Sequence, residues 1–296
     1  MWLTFAVLAL LCWASVNIVD SSLVRRYPAH PIVFVWATTF FAFPLLFLIW
    51  LLMDVRTEWR ETLVVAGFFE TIGATLFVYA IQRLDISAVN LAWAMLAMLM
   101  SIAGFFFFHE VWTQTQTVAA ILIFAGVAFF SFRHRKLGGG RSLFLLPALA
   151  LAYFPLLVIQ KTALFTESNA AVFFWPLLAH EGSCFVLPLF VPSYRRAITA
   201  FVRKTENLFY FLIGFEGLFY YGGTYLSLRA YGAGPASLVS VVANTQPFFV
   251  LLFAWILAAI LPSFAPRELL TDQSIQVKLL SFTIVFLGLA LLGASL

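Results

Sequence analysis

Ten long apolar stretches divide the chain, each bounded by charged or turn-forming residues. They run over about 2–19, 31–53, 61–82, 86–108, 115–132, 143–163, 170–191, 207–228, 235–261 and 276–295. A helix crosses a bilayer with roughly 20 mostly apolar residues, so each stretch predicts a membrane span. The breaks fall at Arg25-Arg26-Tyr27-Pro28, Asp54–Glu61, the basic run 133–141 with Gly138-Gly139-Gly140, Arg195–Glu206 and Pro262–Asp272. No break is long enough to hold a soluble domain. The first stretch lacks a basic leader and a small-residue cleavage site, so it is expected to be retained as a span.

Composition agrees with this pattern. Of 296 residues, 63% are hydrophobic and only 10% are charged. A soluble domain carries about a quarter charged residues, which excludes a soluble or a disordered chain. No clustered basic face is left for a nucleic acid. Cys12 and Cys184 both sit in apolar runs and offer neither a disulfide framework nor metal-ligand spacing. His109-Glu110 and His180-Glu181 begin like a zinc-protease helix motif, but Thr113 and Cys184 stand where its second His belongs. No metal, cofactor or enzymatic activity is expected.

The chain also repeats itself. Residues 79–97 align with 229–247 at an offset of 150, pairing Ala80 with Ala230, Ser87 with Ser237 and, upstream, Gly73 with Gly223. The predicted third and fourth helices thus match the eighth and ninth. The expected organisation is a five-helix repeat over 1–135, a Gly-rich basic linker over 136–142 and a second five-helix repeat over 143–296. Five is odd, so the halves must cross the membrane with opposite orientation. This predicts an all-α integral membrane protein of ten helices in two inverted repeats, an architecture of transporters with a site at the repeat interface. Counting Lys and Arg by loop puts Arg56, Arg60, Lys161 and Arg229 on the side of the termini. The other 13 of the 17 fall on the opposite side, which reads as cytoplasmic.

The stretch Ala80–Val127 resembles the hallmark region of EamA-type drug/metabolite transporters. It carries Ser87 in a short turn, a long apolar helix, Glu110, Gln114 or Gln116, and Gly126-Val127. The second half repeats this with Ala230, Pro235-Ala236-Ser237-Leu238 and Gln246-Pro247, whereas the first half has Leu96-Ala97 without the Pro. Helix 1 carries Trp13-Ala14-Ser15 in the same style. The resemblance implies a cavity lined by helices 1, 3, 4, 6, 8 and 9 and export of small organic solutes, with an amino-acid exporter or a lipid-linked-sugar flippase as alternatives. It implies termini in the cytoplasm, opposite to the charge count. A non-transporting scaffold or sensor is the reading from another class. The compact chain suits a bacterial cell membrane, as a monomer or homodimer.

Candidate site residues follow from the expense of polar groups in lipid. An ionisable residue at the bilayer centre costs about 2.5–3.5 kcal/mol or more, so it marks function by default. Glu70, Glu181 and Glu216 each lie about ten residues into a predicted span, near mid-membrane by the helical rise. Under the 150 offset Glu216 corresponds to position 66, one turn from Glu70 on the same face. Glu70 and Glu216 are therefore expected to bind a cationic group, a coupling proton, or each in turn. Asn90, Asn244 and Gln246 are expected to line the cavity. Asn17 and Asp20 are placed at the end of helix 1, and Gln160 and Lys161 at the end of helix 6. Lys161 is read either as a partner for a substrate carboxylate or as an interfacial lysine. Trp13, Tyr79, Trp93, Tyr153, Tyr220, Tyr221 and Tyr225 are the aromatic candidates, by stacking or cation–π contact. Tyr220 shares a face with Glu216. Glu110 is expected to play a structural part at a helix end.

Overall fold

The computed structural model describes residues 1–53, 55, 60–84, 86–133, 144–260 and 275–295, with side chains except at 86–88, 131–133 and 275–278. The expected linker over 136–142 lies outside these residues. The described chain is all helical. In order, the helices are α1 (Trp2–Arg26), α2 (Pro31–Thr38), α3 (Ala42–Met53), α4 (Glu61–Ile81), α5 (Ile86–Phe106), α6 (Gln114–Arg133) and α7 (Leu145–Ala163). Then come α8 (Asn169–Val186), α9 (Pro192–Lys204), α10 (Asn207–Ala233), α11 (Ala236–Ala243), α12 (Gln246–Ile260) and α13 (Ile275–Ala294). A 3-10 turn, Thr39–Phe41, joins α2 to α3, and another, Leu187–Phe190, extends α8. Seven segments are long and apolar enough to cross a membrane: Trp2–Arg26, Pro31–Met53, Glu61–Ile81, Val89–Phe106, Leu145–Ala163, Asn169–Phe190 and Ala236–Ile260. Gln114–Phe130 and Leu279–Ala294 are shorter apolar helices.

Three elements depart from the sequence expectation. Helix α1 runs to Arg26, seven residues past its predicted end. Ser21 Oγ donates to the Ile18 carbonyl at 3.0 Å, so a polar residue is satisfied without ending the helix. The helix stops at Tyr27, just before Pro28, with Arg25 and Arg26 in its last turn, where cations suit the helix dipole. Asn17 and Asp20 therefore sit inside a span. Second, Arg195–Glu206, read as a loop, mostly forms the amphipathic helix α9. Its Ile198 is buried, while Arg195, Arg196, Arg203 and Lys204 are exposed. Third, the expected span 235–261 is two helices. Pro247 has no N–H to return to Ala243, and the chain turns at Asn244-Thr245. In the first half, α5 passes unbroken through Leu96-Ala97, where no Pro stands.

Most of the principal contacts follow an internal two-fold pattern; the close packing of α4 on α8 is the exception, since α10 meets the α2–α3 segment only slightly. Helix α1 packs on α10 as α7 packs on α4, α1 packs on α12 as α7 packs on α5, and α6 with α13 and α5 with α11 form central pairs. Two glycines mark the equivalence. A Cβ at Gly73 would lie 2.5 Å from the Tyr153 ring of α7, and one at Gly223 would lie 3.1–3.2 Å from Cys12 and Trp13 of α1. The aligned glycines thus let the matching helix pairs approach closely beneath an aromatic ring.

The two ends of the bundle are fastened differently. At one end Tyr27 donates to Glu206 (3.0 Å), Arg26 pairs with Glu206 (3.4 Å) and Gln82 donates to the Ala29 carbonyl (2.9 Å). At the other, Arg60 meets Glu167 at 2.9 Å, Gly234 abuts Trp2 and Gly293 abuts Leu3, so both termini share that end with the α10–α11 turn.

Candidate functional site

A cavity of about 240 Å³ lies within the helical bundle, lined by residues of α1–α5, α7, α8 and α10–α12. Its lining carries Asp20, Glu70, Glu181 and Glu216 together with His180, and no Lys or Arg among the described residues. All four carboxyl residues are buried.

The stripe from α1 is Trp13, Asn17 and Asp20, at the spacing of one helix face. The stripe from α10 is Glu216, Tyr220, Thr224 and Ser227. Trp13 Nε1 donates to Ser227 Oγ at 3.1 Å, and its ring meets Tyr220 edge-on at 5.5 Å between centroids. Tyr220 in turn donates to Glu70 Oε1 at 2.6 Å, while Glu70 Oε2 has no partner. The adjacent Tyr221 donates to Glu181 Oε1 at 2.9 Å. Consecutive tyrosines on α10 therefore hold carboxylates from α4 and α8. Neighbouring residues diverge by about 100° on a helix, which is how two hydroxyls reach two different helices. His180 Nδ1 is 3.1 Å from Thr71 Oγ1, so its ring is fixed by α4. On the opposite wall Trp93 and Tyr153 pack edge to face at 5.2 Å.

The sequence candidates thus divide. Trp13, Glu70, Trp93, Glu216, Tyr220 and Gln246 converge on the cavity. Tyr79 does not line it: its ring lies under the Arg83 guanidinium, 4.0 Å from Cζ, at the end of α4. Lys161 does not line it either. Its Nζ donates to the carbonyls of Tyr231 (2.7 Å) and Gly234 (3.0 Å), where α10 ends with carbonyls that lack helical partners. Asn90 and Asn244 are buried outside the lining. Asn90 Oδ1 and both polar atoms of the Asn244 amide have no partner, and Asn244 stands at the break between α11 and α12.

Sequence reasoning placed Asp20 and Gln160 only at helix ends and gave no part in the site to Thr38 or Thr224; all four line the cavity, as do Tyr153 and Tyr221 of the aromatic set. The spacing Trp13–Asn17–Asp20 was the available signal for Asp20. It was obscured by ending helix 1 at residue 19. Glu110 performs the structural part expected of it. Its carboxylate accepts from the N–H groups of Ala236 (2.5 Å) and Ser237 (2.9 Å) and from Ser237 Oγ (2.5 Å), capping the first turn of α11 from the α5–α6 connection. Trp112 Nε1 adds a bond to Ser237 Oγ at 2.8 Å.

Comparisons with known proteins follow the same line. Solved structures share the fold, with 27 matching chains. One, described only as "Crystal structure of protein", aligns with a TM-score of 0.64 over 97% of this chain and 94% of that one, at 15% identity. No curated protein matches the sequence. Residues 1–132 match the EamA-like transporter family.

Proposed function

We propose that the protein is a secondary transporter of small organic solutes with ten spans in two inverted five-helix repeats. In this reading α2–α3 and α11–α12 each form one broken span, and α9 lies at the membrane surface. The symmetric helix contacts and the Gly73–Tyr153 and Gly223–Trp13 approaches support the inverted repeat. The observation that carries the function is the cavity lining, with four carboxyl side chains, an aromatic wall and no opposing cation among the described residues. Buried carboxylates without Lys or Arg partners are costly, and a cationic solute or a proton relieves that cost. The bound species is therefore an amine or other organic cation, exchanged against protons as the halves rock about the cavity. Glu70 and Glu216 are the coupling groups. Trp13, Trp93, Tyr220 and Gln246 complete the solute contacts. With Lys161 committed to the end of α10, a zwitterion finds no cation in the cavity for its carboxylate, which favours amines over amino acids.

The test is pH-gradient-driven flux in proteoliposomes with a panel of amines, amino acids and nucleosides, comparing wild type with Glu70→Gln plus Glu216→Gln. The proposal expects amine flux that collapses in the double variant. Flux of a neutral or zwitterionic solute that survives the variant would make the glutamates structural.

A further inference from the structure

Helices α1 and α10 run antiparallel, and three contacts fix their register. Trp2 lies against Gly234, Trp13 and Cys12 lie against Gly223, and Trp13 bonds Ser227. Carrying that register along the pair sets Asp20 across from Glu216. Both residues line the cavity and both are buried. Among the described residues no hydrogen bond reaches either carboxylate, in contrast to Glu70 and Glu181 with their tyrosine donors.

The pairing is confined to one half. By the two-fold equivalence Trp13 matches Tyr153 and Gly223 matches Gly73. The counterparts of Asp20 and Glu216 are then Gln160 on α7 and Ala66 on α4. The same register holds there, but no carboxylate stands at either position. An independent observation points to a ligand at the acidic pair. Asn17, one turn before Asp20 on the same face, is 4% exposed and lines the cavity, and its Nδ2 has no partner. The open amide donor of Asn17, buried at the cavity one turn from Asp20, is a group that a carboxylate holding a cation would engage.

We propose that Asp20 and Glu216 form one cation site, in which a shared proton and the ammonium group of the solute take turns, with Asn17 orienting the carboxylates. This rests on the transport reading above and adds Asp20 as its specificity-determining residue. Two carboxylates facing each other in apolar surroundings repel, and one cation between them removes the repulsion and satisfies both. Glu70 is held instead by its bond from Tyr220. The titratable groups around the pair are Glu70 of α4, Tyr153 of α7, His180 and Glu181 of α8, and Tyr220 and Tyr221 of α10. None of them is a Lys or Arg that could neutralise the pair.

The test uses dicyclohexylcarbodiimide, which labels protonated carboxyls in apolar sites, on the full-length protein in detergent with peptide and intact-mass readout. The pH profile of labelling at Glu216 is expected to shift by about one pH unit or more in Asp20→Asn, to return with Asp20→Glu, and to hold in Glu70→Gln. A profile unchanged in Asp20→Asn overturns the pair. A second readout needs no variant. In the wild type, labels on Asp20 and Glu216 are expected to exclude one another on a single molecule, and a population carrying both overturns the shared site. Neither readout involves transport, so a chain that moves no solute would defeat the functional reading while leaving the pair decided by labelling.

Discussion

Glu110→Ala removes the carboxylate that joins the two halves at the start of α11. Three donors lose their acceptor at once: the N–H groups of Ala236 and Ser237 and the Ser237 hydroxyl. Hydrogen bonds to a charged group contribute about 1.5–3 kcal/mol each when buried, but this carboxylate is only partly buried. Taking about 1 kcal/mol for each gives a loss of about 3 kcal/mol, within the range of a strong helix cap plus its dipole contribution. At about 2 °C per kcal/mol for a chain of this size, the melting temperature should fall by about 6 °C. Glu110→Gln keeps one acceptor oxygen and should lose about half as much. Ser237→Ala removes only the hydroxyl contact and the acceptor of Trp112, and should fall between the Gln variant and wild type. The assay is thermal unfolding of the purified protein in detergent, followed by intrinsic fluorescence. If Glu110→Ala melted with wild type, the cap would not hold the halves together and this energetic reasoning would be wrong.

Three further outcomes are expected. Lys161→Met strands the carbonyls of Tyr231 and Gly234 and should destabilise the protein by about 2–3 kcal/mol in the same melt, without changing which solutes are carried. Gly73→Ala drives a Cβ into the Tyr153 ring and should cost about 1–3 kcal/mol, whereas Gly222→Ala meets Cys12 Sγ at an ordinary 3.7 Å and should melt near wild type. Tyr79→Phe should leave flux unchanged in proteoliposomes, because that ring sits under Arg83 outside the cavity.

Much of the fold was legible because lipid demands a helix-length apolar run at each crossing, and those runs stand out along the chain. The errors have physical causes. Asn17, Asp20, Ser21 and Ser22 read as the polar end of helix 1, yet Asn17, Asp20 and Ser21 are buried and the helix continues beyond them. Only the neighbouring helix, with Glu216 and its tyrosines, makes that polarity an interior feature. Helix α9 escaped because an amphipathic surface helix rich in Arg has the composition of a loop. The site divides along the same line. Glu70 and Glu216 stood out because charge in an apolar run is conspicuous from one residue, whereas the α11–α12 break was missed although Pro247 carries its chemical signal. Lys161 was ambiguous because its partners are backbone carbonyls, whose location depends on where α10 stops. The repeat alignment already set position 66 against Glu216, but that Gln160 of α7 stands where α1 has Asp20 needed the register of the packed helices.

The central claim is that a cavity lined by carboxylates exchanges an organic cation for protons. The most direct measurement reverses the driving force: an amine gradient is imposed on proteoliposomes holding a trapped pH dye, with no initial pH gradient. The account predicts protein-dependent proton movement opposite to the amine, abolished by Glu70→Gln plus Glu216→Gln. Amine entry without any protein-dependent proton movement, or proton movement that persists in the double variant, would contradict it.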